Sequence, residues 1–193
     1  SNARCGGCGE NMRINYTMTG IGKTGGPYVI LEIASRLIER GHTVTITTNC
    51  GQNIDWFWKK IDLICPNNSL ARFGGFLFSS MVLPIRVIRQ ISRRLFKKYS
   101  GFDWKVRFLT GAIPDCDINV ATDCFSAYPV YWAKRGIAFY HMQHYEPIFF
   151  NNPTLKDLAD KTYKLPGINK FANSIWLKEE MKKRFSLDVP AVS

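Results

Sequence analysis

The first fifty residues of the chain switch between two hydrophobic periods. Residues 12–18 (MRINYTM) predict a first strand, and residues 42–48 (HTVTITT), rich in β-branched side chains, predict a second. A helix is predicted between them, from about Pro27 to Arg40, because apolar side chains recur there every three or four residues. These side chains are Ile30, Ile33, Ala34, Leu37 and Ile38. A strand, a helix and a second strand in this order form a right-handed parallel unit.

Three later segments also have the composition of buried strands. They are residues 61–65, 117–122 and 138–142, with helical segments between them. Strands that alternate with helices predict an α/β fold, here a Rossmann-like doubly wound parallel sheet of about six strands with helices on both faces. Pro27 suits the first position of the first helix, and Gly41 suits its end.

Composition limits the class of protein. A hydrophobic fraction of 46% in 193 residues is enough for one substantial core. Residues 1–11 are interpreted as a tag remnant and a flexible tail, and residues 12–193 as one domain. No apolar run approaches the ~20 residues that span a bilayer, and no secretory leader is present, so a cytoplasmic location is expected. The formal net charge of +11 favours anionic partners.

The six cysteines do not form a disulfide or zinc pattern. Cys50, Cys65, Cys116 and Cys124 are scattered at or near predicted strand ends, as small hydrophobic residues are in a reducing compartment. The CGGC stretch at residues 5–8 has the spacing of half a zinc site. No second pair of ligands follows at a suitable distance, so a flexible tail is the favoured interpretation.

Residues 73–99 combine an apolar opening with a basic amphipathic pattern. Ile85, Ile88, Ile91 and Leu95 share one predicted helix face, and arginines and lysines occupy much of the remainder. One interpretation is an ordinary surface helix that packs on the sheet. The other is that residues 84–99 dock on an anionic membrane, with the basic side chains near lipid phosphates.

The glycine-rich loop TGIGKTGGP, residues 19–27, matches two phosphate-binding motifs only in part. A phosphate loop of the G-x-x-x-x-G-K-[ST] type needs a glycine at position 17, which is Thr17. A dinucleotide fingerprint fits Gly20, Gly22 and Gly25, but it also needs an acidic residue at the end of the second strand, where Thr48 and Asn49 stand. Neither motif is complete.

The general physics of a glycine loop before a helix still applies. Free N–H groups and the positive end of the helix dipole attract an anion, and Lys23 adds a mobile cation. A glycine-rich turn that binds nothing is the alternative. Residues 56–58 (WFW) are interpreted mainly as cover for the core, with an acceptor groove as the second interpretation.

Four segments carry a family resemblance. The strand, the GG loop and the helix are followed by an R-G-H-x-V-x-I pattern at residues 40–46, and KTGG stands at residues 23–26. Residues 140–150 (YHMQHYEPIFF) and 171–185 (FANSIWLKEEMKKRF) match two later patterns. Together they resemble the N-terminal domain of the GT-B fold retaining glycosyltransferases, the glycosyltransferase family 4 group that includes glycogen synthases.

The resemblance implies a function and an incomplete enzyme. Such proteins transfer a sugar from a nucleotide-diphosphate sugar to a glycan or a lipid-linked acceptor, as in polysaccharide biosynthesis. Their second Rossmann-like domain, which carries an E-x7-E motif, holds the nucleotide. The expectation is therefore one lobe of a GT-B fold that is inactive alone, cytoplasmic or peripheral on the inner membrane face. No cofactor other than the sugar-nucleotide substrate, and no metal, is expected.

Candidate site residues follow from the glycine loop and the end of the fifth strand. Lys23, Gly25 and Gly26 are the candidates for contact with the donor diphosphate, where negative charge builds during transfer. Catalytic candidates come from the segment after residue 142, since ligands of parallel sheets bind beyond the strand ends. They are Gln143, His144 and Glu146, next to His141. Glu146 is expected to orient an acceptor hydroxyl.

Two other functions remain as alternatives. One is an oxidoreductase domain of the NAD(P) type, disfavoured by the missing acidic residue after the second strand. The other is a non-enzymatic module that binds anions or nucleic acid through its basic surface. Nucleic acid is not an expected partner, because the aromatic residues form no stacking platform and no recognised motif is present.

Overall fold

The computed structural model describes residues 11–49, 54–65 and 101–192, with only the backbone described for residues 101–105. The strands are β1 (Arg13–Met18), β2 (Thr43–Thr48), β3 (Asp62–Ile64), β4 (Ile118–Ala121), β5 (Ile137–Met142) and β6 (Asn169–Ala172). The α-helices are α1 (Gly25–Glu39), α2 (Gly101–Ala112), α3 (Ala127–Ala133), α4 (Pro153–Thr162) and α5 (Ile175–Phe185). A short 3-10 helix spans Glu146–Phe149.

The six strands form one parallel sheet in the order β3-β2-β1-β4-β5-β6. This confirms the predicted doubly wound α/β fold. The order turns back at β1, whose neighbours are β2 on one side and β4 on the other. Loops on the two sides of this point lead away in opposite directions, which leaves a crevice at the carboxyl ends of β1 and β4.

Two hydrophobic clusters lie against the sheet. The first joins β1 and β2 to α1, with Tyr16, Ile30, Leu31 and Ile46 among its buried side chains. The second cluster lies on β4, β5 and β6 and is completed by side chains of α3 and α5 and by Tyr163, directly after α4. Its members include Tyr140, Met142, Tyr163, Leu177 and Met181, all fully or almost fully buried. The strand hydrophobic pattern thus places the core on both sides of the sheet.

A buried polar network occupies the middle of the sheet. The Asn15 side-chain amide donates to Thr17 Oγ1 (3.0 Å) and Asn119 Oδ1 (3.0 Å). Asn15 Oδ1 accepts from the hydroxyls of Thr47 (2.8 Å) and Thr45 (3.1 Å). Asn15 is fully buried, and these bonds fix the register of β1, β2 and β4.

The first helix begins two residues earlier than predicted. Its first residue is Gly25, so Pro27 is the third residue of the helix and not the first. The predicted end is confirmed: Gly41 follows the last turn with φ +93°, a conformation that glycine adopts without a steric penalty. The loop is consequently shorter than the sequence indicated.

The segment 171–185 is only partly helical. Phe171 and Ala172 complete β6, and the helix begins at Ile175. Ser174 caps this helix by accepting a hydrogen bond from the Leu177 N–H (3.2 Å). Phe171 and Ala172 therefore belong to the edge strand of the sheet, and the residues that follow Ser174 form the helix.

Several sequence predictions lie outside the described residues. They are the tail at residues 1–10, the CGGC stretch, Cys50 and the amphipathic segment 73–99. Among the described cysteines, Cys65, Cys116 and Cys124 are not in disulfides. Within the described ranges, none of the helices has both the length and the apolar character needed to cross a bilayer.

Candidate functional site

The loops that follow β1, β4 and β5 meet at the carboxyl edge of the sheet. The N–H of Thr19, one residue after β1, donates to Asp123 Oδ2 (2.9 Å), two residues after β4. The Gln143 amide, directly after β5, donates from Nε2 to the Thr122 carbonyl (2.9 Å). The loops after β1 and β4, which are more than one hundred residues apart in sequence, are thus joined at the crevice.

The start of α1 leaves two backbone donors without a partner in the helix. Thr24 precedes the helix, its side chain makes no capping hydrogen bond, and no acidic residue lies in the first turn. The Thr24 N–H donates to the Gly22 carbonyl (2.8 Å). The first turn of a helix has no internal acceptors for its N–H groups, and Pro27 has no N–H at all. Gly25 and Gly26 therefore supply the two donors.

Among the four glycines of residues 19–27, Gly26 alone has a close neighbour that a β-carbon would crowd. A β-carbon at Gly26 would lie 3.0 Å from Gln143 Oε1. At Gly20 and Gly25 a β-carbon would meet nothing within 4 Å, and at Gly22 only a Thr24 methyl group at 4.0 Å. The glycines of the dinucleotide fingerprint are therefore not required here by close packing, whereas the second glycine of the GG pair lets the β5 loop approach.

Asp123 is a site residue that the sequence analysis missed. Besides Thr19, it accepts hydrogen bonds at Oδ1 from the N–H groups of Phe125 (3.0 Å) and Ser126 (2.9 Å). Ser126 Oγ in turn accepts from the Asp123 N–H (2.9 Å), which makes a reciprocal pair like a capping box. The D-x-x-S spacing after the fourth predicted strand was the signal that could have identified it.

Glu146 turns inward toward the β4 loop. Its two carboxylate oxygens accept from the N–H of Cys124 (3.1 and 2.9 Å), and the Tyr140 hydroxyl lies 3.4 Å from Oε1. The Glu146 N–H donates to the Tyr163 hydroxyl (3.2 Å), which itself donates to the His144 carbonyl (3.2 Å). Tyr163 therefore fixes the turn that carries Gln143, His144 and Glu146.

Burial perturbs the two carboxyl groups at the site. Desolvation, followed by the negative charge of Asp123, raises the pKa of Glu146 to about 7. Desolvation also raises the pKa of Asp123. Asp123 accepts three backbone N–H bonds, whereas Glu146 accepts from one backbone N–H, so the Asp123 carboxyl ionises first and Glu146 holds the proton longer. The site thus contains a carboxyl group that exchanges its proton near neutral pH.

The two histidines lie in different surroundings. His144 packs between two exposed rings, Phe149 (ring centroids 4.9 Å apart) and Trp176 (5.5 Å). His141 is only 3% exposed and stacks on Phe171 at 4.6 Å. Burial lowers the pKa of His141 to about 4. His141 is therefore neutral at physiological pH, and it forms part of the packing between β5 and β6.

Lys23 lies in a second environment beside the same loop. It lines a cavity of about 520 Å³ with Thr24, Gly25, Tyr28, Val29 and Trp56. The structure thus brings Gln143 to Gly26 and Glu146 to the β4 loop, and it groups Lys23 with aromatic side chains. The WFW stretch is divided: Phe57 is buried, Trp58 is 64% exposed, and Trp56 forms part of this cavity wall.

Within the described residues, no group of three or more histidine, cysteine, aspartate or glutamate side chains is placed to hold a metal ion. The polar groups that converge at the crevice are N–H donors, one amide side chain and two carboxyl groups. This set suits an anion at the glycine loop and a hydroxyl group beside the carboxyls.

Comparison with known proteins gives fold neighbours only. No protein-family model and no curated protein matches the sequence. One similar solved structure is an alpha-glucosyltransferase in complex with UDP-glucose and DNA containing an abasic site, with 14% identity and a TM-score of 0.48 over 94% of this chain and 42% of that chain. Another is Arabidopsis thaliana UGT89C1 complexed with quercetin, with 14% identity and a TM-score of 0.49 over 95% of this chain and 50% of that chain.

An alpha-glucosyltransferase is thus among the similar solved structures. This chain spans 42% to 50% of the length of those two proteins. At this level of identity the likeness concerns the fold, and it assigns no role to any residue.

Proposed function

We propose that this chain is the N-terminal lobe of a GT-B glycosyltransferase that transfers a sugar from a nucleotide-diphosphate sugar to a glycan or lipid-linked acceptor. The observation that carries the proposal is the contact between the GG pair and the β5 loop. Gly25 and Gly26 offer two N–H donors at the start of α1, and Gln143 lies directly against Gly26. Fixed donors of this kind stabilise the negative charge that develops on a departing diphosphate.

The proposed roles divide between the donor diphosphate and the acceptor hydroxyl. Gly25 and Gly26 contact the donor diphosphate through their N–H groups, and Lys23 adds a positive charge at the edge of the loop. Gln143 lines the crevice opposite them. Glu146 orients the acceptor hydroxyl, while the leaving phosphate accepts the proton of that hydroxyl in a retaining transfer. His144 contributes the ring that closes the crevice on the side of β6.

Two features of the proposal concern a proposed second domain and residues that the structure does not describe. The nucleotide would be held by a second Rossmann-like domain, so the 193-residue chain alone is expected to be inactive. Residues 84–99, outside the described residues, are proposed to contact an anionic inner membrane face. Charge reversal at Arg89, Arg93 and Arg94 is expected to abolish sedimentation with vesicles that contain phosphatidylserine, and a parent protein that does not sediment contradicts the membrane contact.

The test of the enzymatic proposal uses the full-length natural protein. It is incubated with UDP-, GDP- and ADP-sugars, and release of the nucleoside diphosphate is measured with and without glycan and lipid-linked acceptors. The variant Lys23→Ala is expected to lower kcat/KM by about 10–1000-fold, the usual range for loss of one group that stabilises the developing charge. Lys183→Ala, an exposed lysine on α5, is the matched control and keeps wild-type turnover.

Two results would overturn the proposal. One is full-length protein that consumes none of these sugar nucleotides. The other is saturable binding of NAD(P)H at the glycine loop, which would favour the oxidoreductase alternative. Unchanged turnover in Lys23→Ala would remove the role of Lys23 and leave the reaction class intact.

A further inference from the structure

The cavity beside Lys23 has two aromatic walls that are held by one buried ring. Tyr28 lies edge-on to Phe57, with ring centroids 5.7 Å apart and an interplanar angle of 76°. Trp56 packs on the same ring at 6.3 Å and 80°. Phe57 is only 7% exposed. The walls come from α1 and from the segment after β2, and their shared contact with a buried side chain keeps them in place.

The walls present aromatic surface to the cavity. Tyr28 is 49% exposed and Val29 is 46% exposed, although both lie in the first turn of a helix whose next residues form the core. The face of an aromatic ring carries partial negative charge and attracts the C–H groups of a sugar ring, while the sugar hydroxyls remain available to water. A volume of about 520 Å³ lies in the range of small-molecule sites.

The charge of the cavity comes from one side chain. Its six lining residues include Lys23 and no carboxylate. Across the part of the chain that the structure describes, Lys23 makes no hydrogen bond or ion pair with another side chain. A cation next to two aromatic walls is complementary to a ring that carries an anionic group.

We propose that this cavity binds the acceptor of the transfer reaction and holds a hexose ring that carries a phosphate group. The hexose packs on Tyr28 and Trp56, and its phosphate meets the Lys23 ammonium group, which at the edge of the loop also faces the donor diphosphate. Gly25 lines this cavity and Gly26 faces Gln143, so the proposed acceptor and donor sites adjoin at the GG pair. Only the assignment of this ligand as the acceptor rests on the proposed function. The class of ligand, a hexose phosphate, is inferred from the cavity alone.

The test is a binding titration of the 193-residue chain, without any sugar nucleotide. Glucose 6-phosphate, glucose and inorganic phosphate are added separately up to about 10 mM, since weak sugar sites have dissociation constants in the millimolar range. Binding is followed by NMR through the indole N–H of Trp56 and the backbone N–H of Tyr28. Glucose 6-phosphate is expected to shift both signals in a saturable manner, and to bind about tenfold more tightly than glucose.

Variants assign the binding to the cavity. Trp56→Leu and Tyr28→Leu are expected to lower the affinity for glucose 6-phosphate at least about tenfold. Trp132→Leu, which removes an exposed tryptophan on α3 that does not line the cavity, is the matched control and retains binding. Lys23→Ala is expected to bring the affinity for glucose 6-phosphate down to that for glucose. Amide spectra of each variant show whether it is folded, and an unfolded leucine variant is replaced by Trp56→Phe, which keeps an aromatic wall and retains most of the binding.

Each contrary outcome overturns the proposal. If inorganic phosphate causes the same shifts as glucose 6-phosphate, the hexose ring contributes nothing to binding. Equal affinity for glucose and glucose 6-phosphate would show that the cavity does not recognise the phosphate group. Absence of saturable shifts would show that the cavity binds neither sugar. Because no donor is present, failure of the cavity to bind is distinguishable from failure of the full-length protein to consume a sugar nucleotide.

Discussion

The carboxylate of Asp123 accepts a hydrogen bond from the backbone N–H of Thr19 at 2.9 Å, and so joins the glycine loop to the loop after β4. The same carboxylate also accepts hydrogen bonds from the backbone N–H groups of Phe125 and Ser126. One side chain therefore sets the position of two loops at the crevice. This relationship explains how a glycine-rich loop without a capping side chain at Thr24 remains ordered before α1.

Replacement of this carboxylate tests the anchor. Asp123→Ala leaves three N–H groups without their acceptor and is expected to lower the free energy of unfolding by about 2–4 kcal/mol. Asp123→Asn keeps one oxygen acceptor and is expected to cost less. Urea unfolding measures the stability, and hydrogen exchange at the Thr19 amide reports the anchor directly. Asp115→Ala, at an exposed ion pair with Arg135, is the control and changes stability by less than about 1 kcal/mol.

A pair of glycine variants tests the contact between the loop and Gln143. Gly26→Ala places a methyl group 3.0 Å from Gln143 Oε1, so the side chain must move and its hydrogen bond to the Thr122 carbonyl weakens. The free energy of unfolding is expected to change by less than about 1 kcal/mol, since the displaced atom ends a flexible side chain and alanine favours the helix. NMR signals of the Gln143 side-chain amide should shift in Gly26→Ala. Unchanged signals would show that the two residues are not in contact, and Gly20→Ala, where a methyl group meets nothing, should leave them in place.

Glu146 should impose a pH dependence on stability. Its pKa in the folded protein is about 7, above the value of about 4.3 for an exposed glutamate. Stabilisation from the protonated form is thus fully present below about pH 4.3 and is lost as pH rises through 7. Glu146→Gln is expected to remove this loss, so that its stability relative to the parent increases by up to about 3 kcal/mol between pH 4.5 and 7.5. Urea unfolding across this range measures it, with the exposed Glu179→Gln as the control that keeps the parent's profile.

His141 should act in the opposite direction. Its pKa of about 4 in the folded protein lies below the value of about 6.5 for an exposed histidine, because burial disfavours the imidazolium ion. The contribution of the neutral ring is present above pH 6.5 and is lost as pH falls through 4, by up to about 3 kcal/mol. His141→Phe is expected to be insensitive to this titration in urea unfolding between pH 4 and 7. If the parent and His141→Phe lose stability in parallel over that range, His141 does not remain neutral. His42→Gln is the control, and it is expected to lose stability at low pH as the parent does.

The central polar network offers a stability test far from the site. Asn15 makes four side-chain hydrogen bonds to neighbouring side chains and is fully buried. Asn15→Ala leaves those partners unsatisfied and is expected to cost about 2–4 kcal/mol. The measurement is the midpoint of urea unfolding. Thr43→Ala, an exposed position on β2, should change stability by less than about 0.5 kcal/mol, and an equal effect of the two variants would show that the network adds nothing.

Local patterns were sufficient for most of the fold. The five strands predicted by position differ from the observed strands by about one residue at either end, because alternation and β-branched composition are properties of a few consecutive residues. The start of α1 was less accurate. A proline is acceptable anywhere in the first turn of a helix, so Pro27 by itself does not distinguish the first position from the third.

The sequence suggested residues for the candidate site and gave no arrangement for them. Gly26 and Gln143 meet, and Glu146 faces the β4 loop, as expected for residues beyond the ends of parallel strands. Asp123 was missed, although it stands directly after a predicted strand. Its role depends on Thr19, which is 104 residues away in the chain, and no short pattern contains both.

The amino-acid order alone was enough for the parallel α/β class, the positions of the strands and the likeness of the glycine loop to an anion site, because each depends on neighbours within one or two turns of chain. Tertiary structure decided which loops touch. The order β2-β1-β4-β5 places the ends of three distant strands at one edge, and this brings Asp123 to Thr19 and Gln143 to Gly26. It also places Lys23 in a cavity whose lining includes Tyr28 and Trp56 and no carboxylate, because α1 and the segment after β2 meet beside the loop.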